Sequence, residues 1–586
     1  MSFEPTGFSA EIFRQRYAFT ETETWQGCCE RVAHQIALAE DPEKQAKYEE
    51  KFYDVLVDNL FVPGGRVLYN AGRPNPNLLN CFALSDDLDS SEGWAQLSYD
   101  MIVTSMKHGG CGINFSSVRP KGAEIKGQKG LAPGPMELMK LINASGHPIK
   151  AGGQRRVALM FALDLQHPQI EEFIQSKVDN NQFDMANISV ISRHTTDFIR
   201  EIEEDGNVPL SWKNKYRKHV SARDLWGAIT ANAYNQAEPG FLNWELVESE
   251  SNTWYINKLA VTNPCGEIAL EAYGSCCLGH LVLPRFIDGE GLNWELMADT
   301  IRTAVRFLDN VLTVNCYPLP QFKEVGQKNR RIGLGTTGLA DMLVMLGYQY
   351  GSDKADEFVD KLYRFISKQA YEESILLAIE KGAFPSCDPV KHVQSGYVKR
   401  MTPKIKALIK EHGIRNCAVL TQAPTGTVSI LSGNCSSGIE PVFAPAYERR
   451  WYGPDNEIQK ELVFHPLFVQ YLEEGRNVSN FIAAHQVDVE GHLRTQATIQ
   501  RHVDNAVSKT VNLAKDYPLE DLRKVWLKYL PLVKGCTFYR TGSRNFGGIE
   551  EPLKPFTVLE AVKMYREQAQ HVARSEVDCS SGMCTL

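Results

Sequence analysis

Short apolar runs alternate with amphipathic stretches through the middle of this 586-residue chain, and this alternation constrains the fold most strongly. The run RVALMFALDL at 156–165 is followed by PQIEEFIQSKV at 168–178, in which apolar residues recur at helical spacing. A second such helix is ELMADTIRTAVRFLDNVLTV at 295–314. Buried strands followed by helices of this kind are the repeating unit of α/β proteins. We therefore predict an α/β fold.

The two ends of the chain differ from this pattern. Residues 1–60 contain two stretches with apolar residues three and four positions apart, which predicts a short helical N-terminal region. Proline, glycine and asparagine in VPGGRVLYNAGRPNPNLLN then mark the start of the main domain, predicted to cover 61–548. Residues 549–586 are predicted to form a C-terminal region with a helix and a flexible polar tail.

Composition narrows the functional classes. Lys and Arg number 63 against 71 Asp and Glu, and the net charge of −8 disfavours nonspecific nucleic-acid binding. The sequence has neither the long apolar run of a membrane span nor a signal peptide at its start, so we expect a cytoplasmic protein that binds no membrane. The 14 cysteines are scattered, unlike the dense framework of a small secreted domain.

The segment VTNPCGEIAL at 261–270 is the most distinctive local feature. In an extended backbone, side chains two positions apart share a face, so Asn263, Cys265 and Glu267 can address one small substrate. Pro264 and Gly266 disfavour a helix and favour a tight loop. The same residues also fit a surface turn with a buried cysteine.

Other cysteines lie in informative surroundings. Cys276 and Cys277 are adjacent in GSCCLGHLVL, so they cannot face the same side of a strand, and Cys81 precedes another apolar run. Cys579 and Cys584 lie in the terminal DCSSGMCTL, where two thiols suit disulfide exchange. Zinc is a weaker interpretation because no second pair of ligands follows, and no residue is assigned to a metal.

Two glycine-rich stretches have competing interpretations. QAPTGTVSILSGNCSSGIEP at 422–441 can present backbone N–H groups and hydroxyls to a phosphate, or form a plain turn. RIGLGTTGLADM at 331–342 matches the dinucleotide fingerprint, which by itself would suggest a nicotinamide enzyme. A cationic segment precedes it in place of a buried strand, so close packing of its glycines is the preferred interpretation.

Together these stretches resemble ribonucleotide reductase, specifically the catalytic chain of the adenosylcobalamin-dependent (class II) type. The resemblance runs from about Phe61 to the C-terminus. It rests on ordered matches that include NPCGEI, SCCLG, GGCGINFSSVRPKGAEI, GGQRRVALM, RRIGLGTTGLADM, APTGTVSI, VDNAVSKTVNL, FYRTGSR and CSSGMC. It implies a ten-stranded α/β barrel with a central finger loop. A thiol-rich nucleotide sensor without turnover remains an alternative.

The resemblance also implies residue roles. Cys265 becomes a thiyl radical that takes the ribose 3′ hydrogen, Glu267 takes the 3′-hydroxyl proton, and Asn263 holds the sugar. Cys81 and Cys276 supply two electrons, and Cys276 is chosen over its neighbour because the family pattern is Ser-Cys-x-Leu-Gly. The tail cysteines, Cys579 and Cys584, then pass electrons inward from thioredoxin or glutaredoxin. Substrate phosphates are expected at Thr425, Gly426, Thr427 and Ser429.

Regulation follows from the same resemblance. A dNTP or ATP effector is expected at a specificity site that uses a homodimer interface. Its residues are expected to be Asp86, Arg119, Gln154, Arg155 and Arg156. The N-terminal region is too short for the additional ATP-binding cone of many reductases, so we expect no cone domain.

A class I catalytic subunit, which receives its radical from a separate metal-containing subunit, is the alternative. That class relays the radical through adjacent tyrosines, and this chain has Phe538 and Tyr539 at the matching place. A phenylalanine cannot take part in such a relay, so the adenosylcobalamin-dependent type is preferred. The glycyl-radical class is disfavoured because its terminal glycine motif is missing from the sequence.

Overall fold

The first three long helices form the predicted helical N-terminal region. A computed structural model describes residues 3–125, 130–151, 155–178, 181–213, 215–289, 291–452, 457–543 and 553–568. The helices span Gly7–Arg16, Trp25–Ala37 and Pro42–Val57. Thr24 begins the second by accepting a hydrogen bond from the Gly27 N–H at 3.1 Å, a regular N-cap. Its residues at helical spacing are buried, so the periodicity seen in the sequence is the packing face.

Ten strands form the main sheet, which we number in chain order. They are β1 (Phe61–Pro63), β2 (Cys81–Ala83), β3 (Gly110–Asn114), β4 (Leu159–Asp164), β5 (Ala186–Ser192), β6 (Gly240–Asn243), β7 (Ser275–Val282), β8 (Ile332–Thr337), β9 (Thr510–Leu513) and β10 (Gly535–Arg540).

The sheet consists of two parallel halves. Strands β2 to β6 are parallel neighbours in chain order, and β7 with β8 and β9 with β10 are parallel pairs. The halves meet in antiparallel fashion where β2 pairs with β7 and where β6 pairs with β10. Strand β1 is added antiparallel to β7.

The segment 418–422 links the two free ends of this series. Leu420 bridges Leu334 of β8, and Gln422 bridges Val507, three residues before β9. The Thr421 N–H donates to the Leu334 carbonyl at 3.0 Å, and the Gln422 N–H donates to the Ala506 carbonyl at 3.2 Å. Backbone pairing therefore returns to its starting point, as expected for a barrel, and the α/β barrel prediction is confirmed.

The remaining helices and strands cover or decorate the barrel. The α-helices span Gly65–Asn70, Ser91–Met106, Pro135–Gly146, Ile170–Gln175, Thr195–Glu203, Ala222–Gln236, Trp244–Ser249, Trp294–Val314, Pro320–Asn329, Leu339–Met345, Asp353–Lys381, Pro389–His392, Gly396–Lys399, Pro403–His412, Gly426–Leu431, Pro466–Glu473, Val489–Gln500 and Leu519–Tyr529, with short 3₁₀ turns at Leu283–Phe286, Ala484–Gln486 and Leu530–Leu532. Small sheets join Lys150–Ala151 to Arg155–Arg156, Asn207–Trp212 to Lys215–Ser221, Ile287–Asp288 to Gly291–Leu292, and Ala446–Tyr452 to Ile458–Phe464 and Leu553–Phe556. Among the described helices, none is both long and apolar enough to cross a membrane.

A hairpin lies inside the barrel and forms the predicted finger. Its strands are Leu259–Thr262 and Ala269–Glu271, and both contribute to a buried cluster with inward side chains of β2, β4 and β7. A Cβ built on Gly112 of β3 would lie 1.8 Å from the Thr262 carbonyl oxygen. Only glycine leaves room for the finger to pack against this strand.

The glycines of RIGLG are likewise required by close packing. A Cβ on Gly333 would lie 2.6 Å from Thr421 Cγ2, and one on Gly335 would lie 2.4 Å from the Thr421 carbonyl oxygen. The preferred interpretation of this motif is confirmed: the glycines let β8 approach the segment 418–422 closely.

Candidate active site

The finger tip is a tight turn closed by Asn263. The Asn263 N–H donates to the Ile268 carbonyl at 3.1 Å, and the Asn263 Oδ1 accepts from the Ile268 N–H at 3.1 Å. Gly266 has a φ of +79°, a conformation that glycine adopts without strain. The sequence Pro-Cys-Gly therefore places Cys265 at the apex, where its side chain is exposed.

Below the apex, Glu267 and Asn263 are buried beside Cys81. The Asn263 Nδ2 donates to the Cys81 sulfur at 3.3 Å, and that thiol lies 3.9 Å from the Glu267 Oε1. Burial raises the pKa of Glu267 to about 7, and its Oε2 has no hydrogen-bond partner among the described residues. The carboxyl is therefore suited to exchange a proton near neutral pH.

Cys81 and Cys276 are opposite each other across the seam between the two half-barrels. They are register partners on the antiparallel strands β2 and β7. Such partners have Cα atoms about 4.5–5.5 Å apart, within the range of about 4.4–6.8 Å that a disulfide requires. Each described cysteine is a reduced thiol, and burial raises the pKa of both Cys81 and Cys276 well above the usual range. The register thus places the pair where a disulfide can form.

Strand alternation separates Cys276 from Cys277. Cys276 belongs to the cluster inside the barrel, whereas Cys277 packs in the outer core between sheet and helices. Burial, and secondarily the Asp309 carboxylate, raise the pKa of Cys277. Cys277 is therefore a packing residue on the outer face.

Cys265 lines a cavity of about 230 Å³. The polar side chains around it include Asn187, Ser189 and Tyr539. Asn263, Glu267, Cys81 and Cys276 are not among its lining residues in the described part of the chain. The apex thiol thus borders this cavity, and the other predicted catalytic groups are buried away from it.

Phe538 and Tyr539, which are adjacent on β10, differ in burial. Phe538 is fully buried and packs on Trp526 of the outer helices, with ring centroids 4.4 Å apart. Both Phe538 and Tyr539 line the cavity that contains Cys265. A relay through two adjacent tyrosines has no counterpart here.

The glycine-rich loop at 425–429 lies at the start of the helix Gly426–Leu431. Thr425 has a φ of +52°, and its Oγ1 accepts from the Gly438 N–H at 2.6 Å. The Thr427 hydroxyl accepts from the Tyr17 hydroxyl at 2.7 Å, and the Ser429 hydroxyl bonds that of Ser437 at 2.9 Å. Gly426 is exposed beside open space.

Family comparisons agree with this geometry. The family model described as "Ribonucleotide reductase, barrel domain" matches residues 79–537, and "Ribonucleotide reductase, all-alpha domain" matches residues 3–76. The chain belongs to the ribonucleotide reductase family. The predicted membership is therefore confirmed.

Individual relatives are named after vitamin B12. The chain is 33% identical over 572 residues to the vitamin B12-dependent ribonucleoside-diphosphate reductase of Thermoplasma acidophilum, covering 92% of this chain and 72% of that one. It is 31% identical over 566 residues to the protein of the same name from Mycobacterium tuberculosis H37Rv, covering 91% and 77%. A ribonucleoside-diphosphate reductase subunit alpha from Chlamydia trachomatis is 28% identical over 474 residues, covering 70% and 44%.

The structure does not join the two predicted effector residues Asp86 and Arg119. Asp86 is exposed, whereas the Arg119 Nε donates to the Asp89 Oδ1 at 2.8 Å. Partial burial acts to raise the pKa of Asp89, but hydrogen bonds from Arg119 and Lys213 hold it below its usual range. Arg119 is thus held by Asp89, and the effector roles expected of Asp86 as the base-reading acid and of Arg119 as a phosphate contact stay predictions.

Several predicted residues have incomplete or no structural description. Gln154 lies outside the described residues, as do Cys579 and Cys584. The strand Arg155–Arg156 pairs with Lys150–Ala151, but its side chains lie outside the described part. Their roles remain predictions.

Sequence reasoning missed a buried ion pair at the base of the finger. The Arg331 Nη2 lies 2.9 Å from the Glu271 Oε2, and the Asn329 Nδ2 donates to the Glu271 Oε1 at 2.5 Å. The sequence did contain a signal for this ion pair, because Arg330 and Arg331 directly precede β8, a strand that is buried throughout. Cations at such a boundary predict buried partners.

Proposed function

We propose that this chain reduces ribonucleotides to 2′-deoxyribonucleotides for DNA synthesis, with adenosylcobalamin as the source of the radical. The observation that carries the proposal is the pair Cys81 and Cys276, in register and reduced, beside the buried Glu267. The names of the two relatives with the highest identities quoted above support the cofactor and favour a nucleoside diphosphate as substrate.

The cavity at Cys265 supports binding of the adenosyl end of the cofactor. Its volume of about 230 Å³ is below that of most small-molecule pockets, so it suits a nucleoside-sized group. Asn187, Ser189 and Tyr539 would hold that group. When bound, adenosylcobalamin supplies a carbon radical able to take a hydrogen atom from a thiol.

Substrate activation uses the finger tip. The Cys265 sulfur, as a thiyl radical, takes the hydrogen atom from the ribose C3′, while the Glu267 carboxylate takes the proton of the 3′-hydroxyl. A pKa of about 7 suits this carboxyl to such a transfer. The Asn263 amide holds the sugar and already fixes the Cys81 thiol by its hydrogen bond.

Reduction uses the cysteine pair. The 2′-hydroxyl leaves as water after gaining a proton, and C2′ gains a hydrogen. Cys81 and Cys276 lose two electrons and two protons in total and form one disulfide. Cys265 returns the hydrogen atom to C3′, so one ribonucleotide and two thiols give one deoxyribonucleotide, water and one disulfide.

The finer assignments are also proposals. The N–H groups and hydroxyls at 425–429 hold the substrate phosphates, supported by the exposed Gly426 and the hydroxyls of Thr425, Thr427 and Ser429. Thioredoxin or glutaredoxin reduces the disulfide through Cys579 and Cys584. A dNTP or ATP effector binds at a homodimer interface. We also propose that the protein acts in the cytoplasm. The residues proposed for the effector site are Asp86, Arg119, Gln154, Arg155 and Arg156.

A turnover assay tests the proposal. The protein is incubated with a ribonucleoside diphosphate and dithiothreitol, with and without adenosylcobalamin, and the deoxynucleotide is quantified by chromatography. We expect product only with the cofactor. Cys276→Ser should lose multiple turnover, and the matched variant Cys277→Ser should retain it because that thiol faces the outer core. Equal loss in both variants, or product without cofactor, would refute the proposal.

A further inference from the structure

Arg331 places a buried positive charge beside Cys276. It lies one residue before β8, and the parallel register Cys277↔Ile332 continues to put it opposite Cys276. The Cys276 sulfur lies over this part of β8, 3.2 Å from where a Cβ on Gly333 would be. The Arg331 side chain is only 6% exposed.

The Arg331 guanidinium has partners for only some of its nitrogens among the described residues. Its Nη2 pairs with Glu271 and its Nη1 donates to the Asn505 Oδ1 at 3.2 Å. Its Nε has no hydrogen-bond partner among the described residues. A buried guanidinium N–H without a partner is costly, so it suits an anion that is present only in part of a reaction cycle.

The other cysteine of the pair has different surroundings. Burial and the Glu267 carboxylate both raise the pKa of Cys81, opposed by the hydrogen bond from Asn263. Burial, the thiols of Cys277 and Cys417, and Glu267 raise the pKa of Cys276 too, but the Arg331 cation acts in the opposite direction. A full charge stabilises a thiolate more than a neutral amide does. The cation opposite Cys276 thus favours this sulfur as the leaving group.

The exposure of the two cysteines also favours attack on Cys81. Cys81 is 5% exposed and Cys276 is 0% exposed. This small difference in exposure favours Cys81 as the site that an incoming thiolate attacks.

We propose that Arg331 is a positioning residue that gives the Cys81–Cys276 disulfide a fixed direction of reduction. This inference rests on the proposed function. An incoming thiolate bonds to the Cys81 sulfur, the Cys81–Cys276 bond breaks, and its electron pair stays on the Cys276 sulfur beside Arg331. The second thiol of the reductant then displaces Cys81, and two protons restore both cysteines. The reductant dithiol becomes a disulfide, so electrons balance.

Trapping the mixed disulfide tests this direction. The full chain carrying Cys579→Ser and Cys584→Ser undergoes a single turnover, which leaves the disulfide in place. Mercaptoethanol is added, the reaction is quenched with iodoacetamide, and peptides are mapped by mass spectrometry. We expect mercaptoethanol on Cys81 and alkylation on Cys276, with a bias of about threefold for each pKa unit between the two thiols.

Charge variants identify Arg331 as the cause. Arg331→Gln with Glu271→Gln removes the buried pair without leaving a lone carboxylate, and should bring the two adducts towards equal amounts. Arg331→Lys keeps the positive charge, so this variant should retain the bias towards the adduct on Cys81. The matched control is Arg330→Gln, because that neighbouring buried arginine contacts Asp309 in the outer layer, 2.8 Å away, and should leave the bias unchanged.

The outcomes separate the two proposals. A missing Cys81–Cys276 disulfide after turnover would overturn the proposed function and this inference with it. A disulfide that is present but takes mercaptoethanol on Cys276 would overturn only the inference. An unchanged bias in the doubly neutral variant would do the same.

Discussion

The raised pKa of Glu267 makes activity depend on pH in a defined way. Burial raises this pKa from 4.5 to about 7, so the carboxyl is about half ionised at neutral pH. A general base works only when ionised, so kcat/KM should rise with pH up to about 7 and then level off. One pH unit below the pKa about a tenth of the Glu267 carboxyls are ionised. At pH 6 we therefore expect kcat/KM to be about tenfold lower than on the plateau at high pH.

The raised pKa of Glu267 also makes the free energy of unfolding depend on pH, and this free energy falls where activity rises. Between pH 4.5 and 7 the folded chain keeps the Glu267 proton and the unfolded chain releases it. The contribution of this carboxyl to the free energy of unfolding is therefore complete below pH 4.5 and is lost as pH rises through 7. A shift from 4.5 to about 7 corresponds to about 3 kcal/mol. Glu267→Gln cannot ionise, so its stability relative to the native protein should rise by about 3 kcal/mol between pH 4.5 and 8.

Two measurements check this reasoning. Deoxynucleotide formation is followed from pH 5.5 to 8.5 at low substrate concentration, and melting temperatures of the native protein and Glu267→Gln are compared over a wider range. We expect the variant to lose about 10²–10⁴-fold in kcat/KM. A flat activity profile between pH 6 and 8, or parallel melting curves for the two proteins, would refute the assignment of Glu267.

Three further predictions concern the thiols and the finger. Cys265→Ser should abolish turnover with every reductant, because a hydroxyl is a poor hydrogen-atom donor; substantial residual product would contradict the radical role. Joint replacement of Cys579 and Cys584 by Ser should spare activity with dithiothreitol and cripple it with thioredoxin, whereas equal loss would argue against a shuttle. Gly112→Ala should lower the melting temperature and activity, because its Cβ would lie 1.8 Å from the finger backbone. Gly130→Ala, with open space around it, is the control, and comparable losses in both variants would refute the packing argument.

The tight turn at the finger tip was predictable from local sequence, whereas its place in a finger and its chemistry came from the family resemblance. Pro264 and Gly266 favour the turn through their own backbone preferences, and the Asn263 side chain closes it by accepting from the Ile268 N–H. The predicted common face in an extended backbone was wrong, because residues 263–268 form a turn that leaves Cys265 exposed and buries Asn263 and Glu267. The N-terminal helices were equally visible, because their apolar spacing is their packing face.

Long-range partners were less predictable. The facing of Cys81 and Cys276 depends on an antiparallel register between strands almost two hundred positions apart, which spacing alone cannot give. Arg331 and Glu271 meet through the same kind of tertiary contact. The choice of Cys276 over Cys277 came from family resemblance, and the structure supplies the physical reason in the two faces of β7.

The position of the cysteine pair on the seam has a mechanical consequence. Cys81 belongs to one half-barrel and Cys276 to the other, so oxidation fastens the two halves together. Cross-linking a loop of roughly 200 residues can stabilise a folded chain by up to about 5 kcal/mol. Each catalytic cycle would therefore alternate a cross-linked barrel with one that is not cross-linked. The enzyme with the Cys81–Cys276 disulfide should melt at a higher temperature than the enzyme with both thiols reduced.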